Sequence, residues 1–297
     1  MTYSIVAIDT KSGLMGVGVQ SHYFSVGSVV PWVESGKGAV ATQAMVDVSY
    51  GPRGLGLMSL GLSSTKALNC LLDEDSLPDT RQVAFLDTNG KVDVHTGASC
   101  IPEAGDHIGD GFSCQANMMK NDTVWDAMAE SFESSKGEPL DQRILSAMRS
   151  AENEGGDIRG RQSAAIVISK IERSNKPWQD RLIDLRVEDN EWPLDELERL
   201  LRLSKAYRKA DEGEDLMGLG DVDGAFGHYE NASCICPENM EIMFWRAVTL
   251  AQAGEDEKAG EIFRNVFSRE PHWRELLSRL TRCDMFDEDM AEHYLKK

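Results

Sequence analysis

The stretch Thr2-Tyr-Ser-Ile-Val-Ala-Ile-Asp9 follows directly on the initiator Met1. Its β-branched and aromatic residues predict a strand that begins at the N-terminus. Removal of Met1 would leave Thr2 as the first residue. A free N-terminal threonine carries a hydroxyl nucleophile and an α-amine of pKa roughly 7.7–8.0 that can act as its general base. The alternative interpretation is that Met1 is retained and Thr2 only starts the strand.

Length and composition restrict the protein class. The 297 residues exceed the size of one typical domain, which favours two domains. With 50 acidic and 31 basic residues the net charge is -19, so nucleic acid and anionic membranes are poor partners. Because the sequence has no long apolar segment or leader, we expect a soluble cytoplasmic protein. The spacing of its six cysteines indicates free thiols and no structural metal, and no cofactor motif is present.

The first part of the chain predicts mostly strands, followed by two helices and two further strands. Predicted strands cover residues 3–9, 14–20, 26–33, 38–43, 82–87, 91–95, 163–168 and 182–187, and the first four form two hairpins that begin one sheet. Predicted helices cover residues 63–72, 122–134 and 139–153, whereas the glycines and proline of residues 51–56 predict a loop. Residues 96–117 predict a glycine-rich loop and a strand. This order indicates sheet layers covered by helices.

A repeat appears in the helical region after Pro193. Four residues recur after 34 positions: Gly220, Ala225, Tyr229 and Pro237 return as Gly254, Ala259, Phe263 and Pro271. This period and pattern are typical of the tetratricopeptide repeat. We therefore predict an all-α domain over residues 194–297, with flanking helices at 194–210 and 273–282 and a short helix at 284–293. Such a module binds a protein partner, or it supports the first domain or a dimer contact.

Two segments of the first domain carry further candidate chemistry. The side chains of the first are His95, Cys100, Asp106, His107 and Asp110, whose spacing supports a metal site or a cysteine nucleophile only weakly. The second is the glycine-rich segment 155–163, where Arg159, Arg161 and Gln162 would suit a carboxylate. The alternative for this segment is a solvated turn.

Several stretches of the first 200 residues together resemble the Ntn-hydrolase-like family catalogued as domain of unknown function 1028. The stretches are residues 2–7, 38–44, 50–54, 95–97, 156–165 and 184–189. The resemblance implies a four-layer αββα sandwich over residues 1–193, with two antiparallel sheets between helix layers. It also implies amide-bond hydrolysis by an N-terminal residue, a place that Thr2 occupies. Gln43, in the second stretch, is a candidate for contacting the substrate.

The sequence departs from this family at three places. Lys37, near the position of the lysine in proteasome-like relatives, falls in a predicted turn. Gln115-Ala-Asn117 stands where the family has Gln-Gly-Asn. Asn190 replaces a histidine after the last predicted strand, so no role of that histidine carries over.

The leading hypothesis is an N-terminal-nucleophile amidohydrolase acting on a small amide or peptide-like substrate. Thr2 would be the nucleophile and Asn117 an oxyanion donor, while Gln43, Arg159, Arg161 and Gln162 would bind the substrate. A non-catalytic Ntn-fold scaffold with a protein-binding repeat module is the alternative, and a hydrolase that uses Cys100 or Cys114 is a third. Exposed sheet edges and a short repeat stack favour a homodimer.

Overall fold

The computed structural model describes residues 2–296. The chain forms two compact units, one reaching to Arg199 and one beginning at Leu200. The first unit contains both sheets, and the second is helical. Among the described helices, none combines the length and the apolar character needed to cross a membrane.

The strands of the first unit form two antiparallel sheets. In chain order they are β1 (Thr2–Asp9), β2 (Leu14–Ser21), β3 (Pro31–Glu34), β4 (Gly38–Ala44), β5 (Arg81–Asp87), β6 (Val92–Thr96), β7 (Gly105–Gly109), β8 (Phe112–Asn117), β9 (Ser163–Lys170) and β10 (Arg181–Val187). The six-stranded sheet has the order β10-β9-β2-β1-β8-β7, and the four-stranded sheet has the order β3-β4-β5-β6. The two predicted N-terminal hairpins therefore lie in different sheets, and the prediction of one sheet is wrong.

An apolar core lies between the two sheets. Val6 and Ile8 of β1 and Ala39 and Ala41 of β4 are buried in it, because alternate residues of a strand share one face. Small residues dominate on β4, and larger ones on β1 fill the space. The polar residues Thr2 and Ser4 have the same parity as Val6, so they continue this inward face toward one end of the sheets.

Four helices cover the outer faces of the two sheets. They are α1 (Tyr50–Ser59), α2 (Ser64–Glu74), α3 (Val124–Ser134) and α4 (Leu140–Asn153). Helices α1 and α2 pack on the four-stranded sheet, and α3 and α4 pack on the six-stranded sheet. The predicted helix at residues 63–72 is confirmed, and Ser63 caps α2 by accepting a hydrogen bond from the Lys66 amide.

Helix α1 replaces the loop predicted over residues 51–56, and that prediction is wrong. A Cβ atom on Gly51 would lie 2.3 Å from the Trp32 ring, and one on Gly54 would lie 2.3 Å from the Phe85 ring. The two glycines therefore allow α1 to pack closely on the sheet and do not end the helix. Composition alone suggests a loop here because isolated glycines lower helix propensity.

The single strand predicted over residues 26–33 is also wrong. Residues Val26–Ser28 form a 3-10 turn, and the strand begins only at Pro31. Ser25 adopts a left-handed backbone conformation with a φ of 56°, and the Val26 amide donates to Ser163 Oγ at 3.0 Å. A tertiary hydrogen bond thus ends the extended run that the valines predict.

Helices of the second unit follow one another along the chain. They are α5 (Pro193–Gly218), which crosses the unit boundary, α6 (Val222–Ile235), α7 (Met240–Gln252), α8 (Asp256–Arg269), α9 (His272–Leu280) and α10 (Glu288–Leu295). Helix α5 continues eight residues beyond the predicted end at 210. Gly213 allows this course at a close packing point, since a Cβ there would lie 3.0 Å from the Tyr229 ring.

The residues that recur after 34 positions occupy equivalent places in the second unit. Gly220 and Gly254 both have a φ of 78°, which favours glycine. Ala225 and Ala259 are fully buried, and Tyr229 and Phe263 are almost fully buried. The sequence period therefore corresponds to repeated helical packing.

Candidate functional site

Thr2 lies at one end of the six-stranded sheet, in a central strand. Its neighbours across the strands are Ser21 of β2 and Asn117 of β8. The Thr2 side chain faces the four-stranded sheet and is only 3% exposed. Its hydroxyl donates to Ser21 Oγ at 3.0 Å. Backbone pairing with β2 and β8 therefore fixes the main chain of Thr2 on both sides, and the bond to Ser21 orients its side chain.

Gln43 links Thr2 to the opposite sheet. Its Nε2 donates to the Thr2 carbonyl oxygen at 3.1 Å and to Gln82 Oε1 at 2.8 Å. Its Oε1 accepts from Ser4 Oγ at 2.7 Å. Gln43 is fully buried, so these bonds replace its contacts with water. The side chain positions Thr2 in the structure.

Asn117 reaches the same place from β8. Its Nδ2 donates to Gln82 Oε1 at 2.8 Å and to the Thr2 carbonyl oxygen at 3.4 Å. Asn117 Oδ1, by contrast, is buried and has no hydrogen-bond partner among the described residues. A buried polar atom without a partner lowers the stability of the fold. This oxygen is therefore available to accept a hydrogen bond from a ligand.

Gln82 is the centre of the polar cluster. It accepts from both Gln43 and Asn117, and its Nε2 donates to Thr96 Oγ1 at 3.0 Å and to the Ala116 carbonyl oxygen at 2.8 Å. Thr96 Oγ1 in turn donates to Asp106 Oδ1 at 2.5 Å. One glutamine thus connects both sheets to a carboxylate nearer the surface.

Sequence reasoning missed part of this cluster, namely Ser4, Ser21, Gln82, Thr96 and Gln115. The sequence feature that could have revealed them is the alternation of side chains along a strand, which places every second residue on the same face. In β8 the residues that face the other sheet, Ser113, Gln115 and Asn117, are all polar and fully buried. When the inward positions of a strand are polar at one end of an otherwise apolar core, they indicate a functional site at that end.

The structure places Arg159 in an ion pair with Asp157. Its guanidinium donates to Asp157 through Nε at 3.1 Å and Nη2 at 2.7 Å. Asp157 is buried and also accepts from the His22 amide at 3.1 Å, just after β2 ends. Asp157 therefore holds the glycine-rich segment against the end of β2, and Arg159 balances its charge.

Arg161 and Gln162 form their described contacts with residues other than Thr2. Arg161 Nε contacts Glu152 Oε2 at 2.6 Å, and its guanidinium lies 4.3 Å from the Trp192 ring centre. Glu152 also accepts from the hydroxyl of Tyr3, whose side chain lies on the helix-covered face opposite to Thr2. Gln162 donates to Asp189 at 3.2 Å. Of the five other candidates, Gln43 and Asn117 form described hydrogen bonds with Thr2.

The thiols and histidines do not form a second centre. Burial raises the pKa of the Cys114 thiol well above its usual value, and burial also raises that of Cys100, which disfavours the reactive thiolate. His95 contacts the Pro78 carbonyl oxygen at 2.9 Å, and His107 pairs with Asp126 at 2.7 Å. Within residues 2–296, no group of three or more histidine, cysteine, aspartate or glutamate side chains could hold a metal ion.

Lys37 lies at the wrong end of its strand to act on Thr2. It pairs with Glu34 at 2.6 Å in the turn between β3 and β4. The distance along β4 from there to Gln43 is about 20 Å, given the rise of a strand. The predicted turn position of Lys37 is confirmed, and this lysine contributes nothing to the polar cluster.

Exposed apolar side chains surround the end of the sheets where Thr2 lies. They are Tyr23, Phe24, Met45, Ile101 and Ile158, each between 44% and 64% exposed. Backbone hydrogen bonds join three of the loops, since the Met118 amide donates to Ile101 and the Ile158 amide donates to Met118. The polar cluster therefore lies beneath an apolar rim.

Comparison with known proteins identifies the family. The profile described as "Family of unknown function (DUF1028)" matches residues 2–197. The chain belongs to this family. The match includes both sheets and every residue of the polar cluster around Thr2.

A solved structure of the same family is similar to this chain. The crystal structure of protein SPO2555 from Silicibacter pomeroyi, also of the DUF1028 family, matches with a TM-score of 0.60 and 26% sequence identity. The match covers 68% of this chain and 88% of that chain. No curated protein matches the sequence.

Proposed function

We propose that this DUF1028 protein is an N-terminal-nucleophile amide hydrolase whose first unit is an αββα sandwich of the Ntn type. The observation that carries the proposal is the position of Thr2. The residue that follows the initiator methionine begins a central strand, and its hydroxyl points into the space between the two sheets. A buried polar cluster holds its backbone carbonyl group in place.

Removal of Met1, which lies outside the described residues, exposes the Thr2 amine that the mechanism needs. The amine accepts the proton of Thr2 Oγ as the oxygen attacks an amide carbonyl carbon. The tetrahedral intermediate then expels the amine product, which takes that proton, and leaves an acyl ester on Thr2. Water hydrolyses the ester, releasing a carboxylic acid and restoring the hydroxyl.

Asn117 and Gln43 have different parts in this proposal. Gln43 fixes Thr2 through its carbonyl oxygen, which makes it a positioning residue rather than an oxyanion donor. Asn117 Nδ2 serves the oxyanion only by giving up its bond to Gln82. Its unpaired Oδ1 supplies an acceptor for a substrate N–H group.

The apolar rim supports a substrate that carries apolar groups. Tyr23, Phe24 and Ile158 are exposed beside a site that offers amide and hydroxyl groups. Binding sites commonly combine apolar walls with a few oriented polar groups. We therefore propose an amide or short peptide with apolar substituents as the substrate.

The experiment compares forms of the protein that differ at the N-terminus. A proteolytically released fusion that begins at Thr2 is assayed on a panel of apolar aminoacyl anilides, beside a form that retains one extra residue. We expect hydrolysis only with the free Thr2 amine and a loss of at least about a hundredfold in T2A, as for removal of a nucleophile. Intact mass of the protein from its own host shows whether Met1 is removed.

T10A is the matched control, because Thr10 is exposed in the turn after β1. Full activity of the T10A form together with loss in T2A supports the mechanism. Activity that survives in T2A, or that thiol alkylation abolishes, contradicts it.

The second candidate function is a scaffold whose helical unit is of the tetratricopeptide type. The observation that favours it is the equivalent packing of residues 34 positions apart, such as Tyr229 and Phe263. In that case T2A and the blocked N-terminal form retain partner binding, and no form hydrolyses amides.

A further inference from the structure

A cavity of about 300 Å³ lies in the second unit, lined by residues between Tyr207 and Met285. Helices α5, α6 and α7 contribute most of its lining. Three aromatic side chains line it, namely Tyr207, Tyr229 and Trp245. Three carboxylates also line it, namely Asp211, Glu214 and Glu241. This volume is at the small end of ligand sites, which suits one long side chain better than a cofactor.

The charge of the cavity is uncompensated. Its lining contains no lysine, arginine or histidine. Asp211 and Glu214 form no ion pair with any residue between 2 and 296. Glu241 accepts a hydrogen bond from the Tyr207 hydroxyl at 2.5 Å and has no cationic partner in the cavity. A positive group would therefore find three carboxylates without displacing an existing cation.

The titration behaviour of the lining agrees with this negative field. Burial raises the pKa of Asp211, and the neighbouring Asp215 raises it further. Burial together with Glu214 and Asp211 raises the pKa of Tyr229 to about 12. The part of each shift that comes from neighbouring carboxylates shows a negative local field, which favours a positive group over a negative one.

We propose that the cavity binds the arginine or lysine side chain of a peptide segment from a partner protein. The aromatic rings offer faces to the cation, and carboxylates at the cavity wall neutralise its charge. Ile242 and Val248 provide apolar contact for the methylene stem, which is how long basic side chains bury their length. This inference stands apart from the hydrolase proposal, because it uses only residues of the second unit.

The test uses the full chain and a short fluorescein-labelled peptide of glycine and serine with a central arginine. Binding is followed by fluorescence anisotropy. A second peptide carries citrulline, which keeps the shape of arginine and removes its charge. We expect the arginine peptide to bind on the order of tenfold more tightly than the citrulline peptide, and the D211N/E214Q variant to lose most of this difference.

The matched control separates the cavity from the overall negative charge. Glu257 and Glu261 are exposed on α8 and do not line the cavity, so E257Q/E261Q makes the same change of net charge elsewhere. The control variant is expected to bind the arginine peptide as the native chain does. Equal weakening by both double variants overturns the proposal, as does equal binding of the citrulline peptide or binding of free arginine without the peptide. Circular dichroism confirms that the variants keep their helices.

Discussion

At the scale of single residues, Gln82 connects the candidate site through hydrogen bonds, although the sequence did not single it out. It accepts hydrogen bonds from Gln43 and Asn117 and donates to Thr96. Gln43 and Asn117 are fully buried, so water cannot replace Gln82 as their acceptor. The position of Thr2 therefore depends on a residue that never touches it.

Replacement of Gln82 by leucine should destabilise the protein. The change keeps the approximate volume but leaves the amide groups of Gln43 and Asn117 with one partner fewer in the core. We expect the free energy of unfolding to fall by about 2–4 kcal/mol, the cost of buried donors without acceptors. Urea unfolding measures this value.

Q179L is the control for this change, because Gln179 is exposed. Its unfolding free energy should differ from that of the native protein by no more than about 0.5 kcal/mol. A similar loss in both variants, or no loss in Q82L, would show that the cluster contributes little to stability.

At the scale of secondary-structure elements, α1 shows how packing overrides composition. The helix contains three glycines, two of which allow close contact with the sheet at Trp32 and Phe85. The third, Gly56, faces open space. Glycine therefore stabilises the fold where α1 contacts the sheet and lowers the stability of the helix where it faces open space.

Alanine substitutions in α1 should separate these roles. In G54A the new methyl group overlaps the Phe85 ring, and we expect a loss of about 1–3 kcal/mol in unfolding free energy. In G56A no atom lies within 4 Å, and we expect a gain of up to about 1 kcal/mol from higher helix propensity. Thermal and chemical unfolding of the two variants measure both signs, and a stable G54A would contradict the close contact.

At the scale of the whole molecule, acidity dominates the charge balance, with a net charge of -19. Some carboxylates nevertheless stabilise the fold through specific partners. Asp75, at the end of α2, pairs with Arg81 at the start of β5 and accepts from the Tyr50 hydroxyl of α1. The Arg81 hydrogen bond lowers the pKa of Asp75 to about 2. One carboxylate thus ties together three elements on one side of the first unit.

This ion pair should make stability depend on pH in the acid range. The folded pKa of Asp75 is below its unfolded value of roughly 3.9, so its contribution is complete above that pH and is lost as the pH falls toward about 2. We expect D75N to unfold more easily than the native protein at neutral pH and to differ from it less at pH about 2. Urea titrations at several pH values measure the difference.

D73N is the matched control, because Asp73 is exposed on α2 and has no described ion-pair partner. Its stability should follow the native pH profile. A constant difference between D75N and the native protein across this range would contradict the lowered pKa.

Strand and helix patterns predicted most elements of the first unit, because alternation and helical spacing are local properties. The strand at 3–9 and the helix at 139–153 correspond to β1 and α4. The patterns failed at residues 26–33 and 51–56, where a hydrogen bond from the Val26 amide to Ser163 Oγ and contacts with Phe85 decide the backbone. Such contacts join residues distant in sequence, which no local window contains.

The sequence by itself determined that a strand covers residues 3–9, that hairpins and several helices build the first unit, and that residues recur after 34 positions in the second. It also placed the chain in its family. Only the tertiary structure decided which polar residues meet: Gln43 and Asn117 join Thr2, whereas Arg161 lies with Glu152. The physical reason is that sheet order and strand parity depend on the packing of the whole core, and these choose the neighbours of every buried side chain.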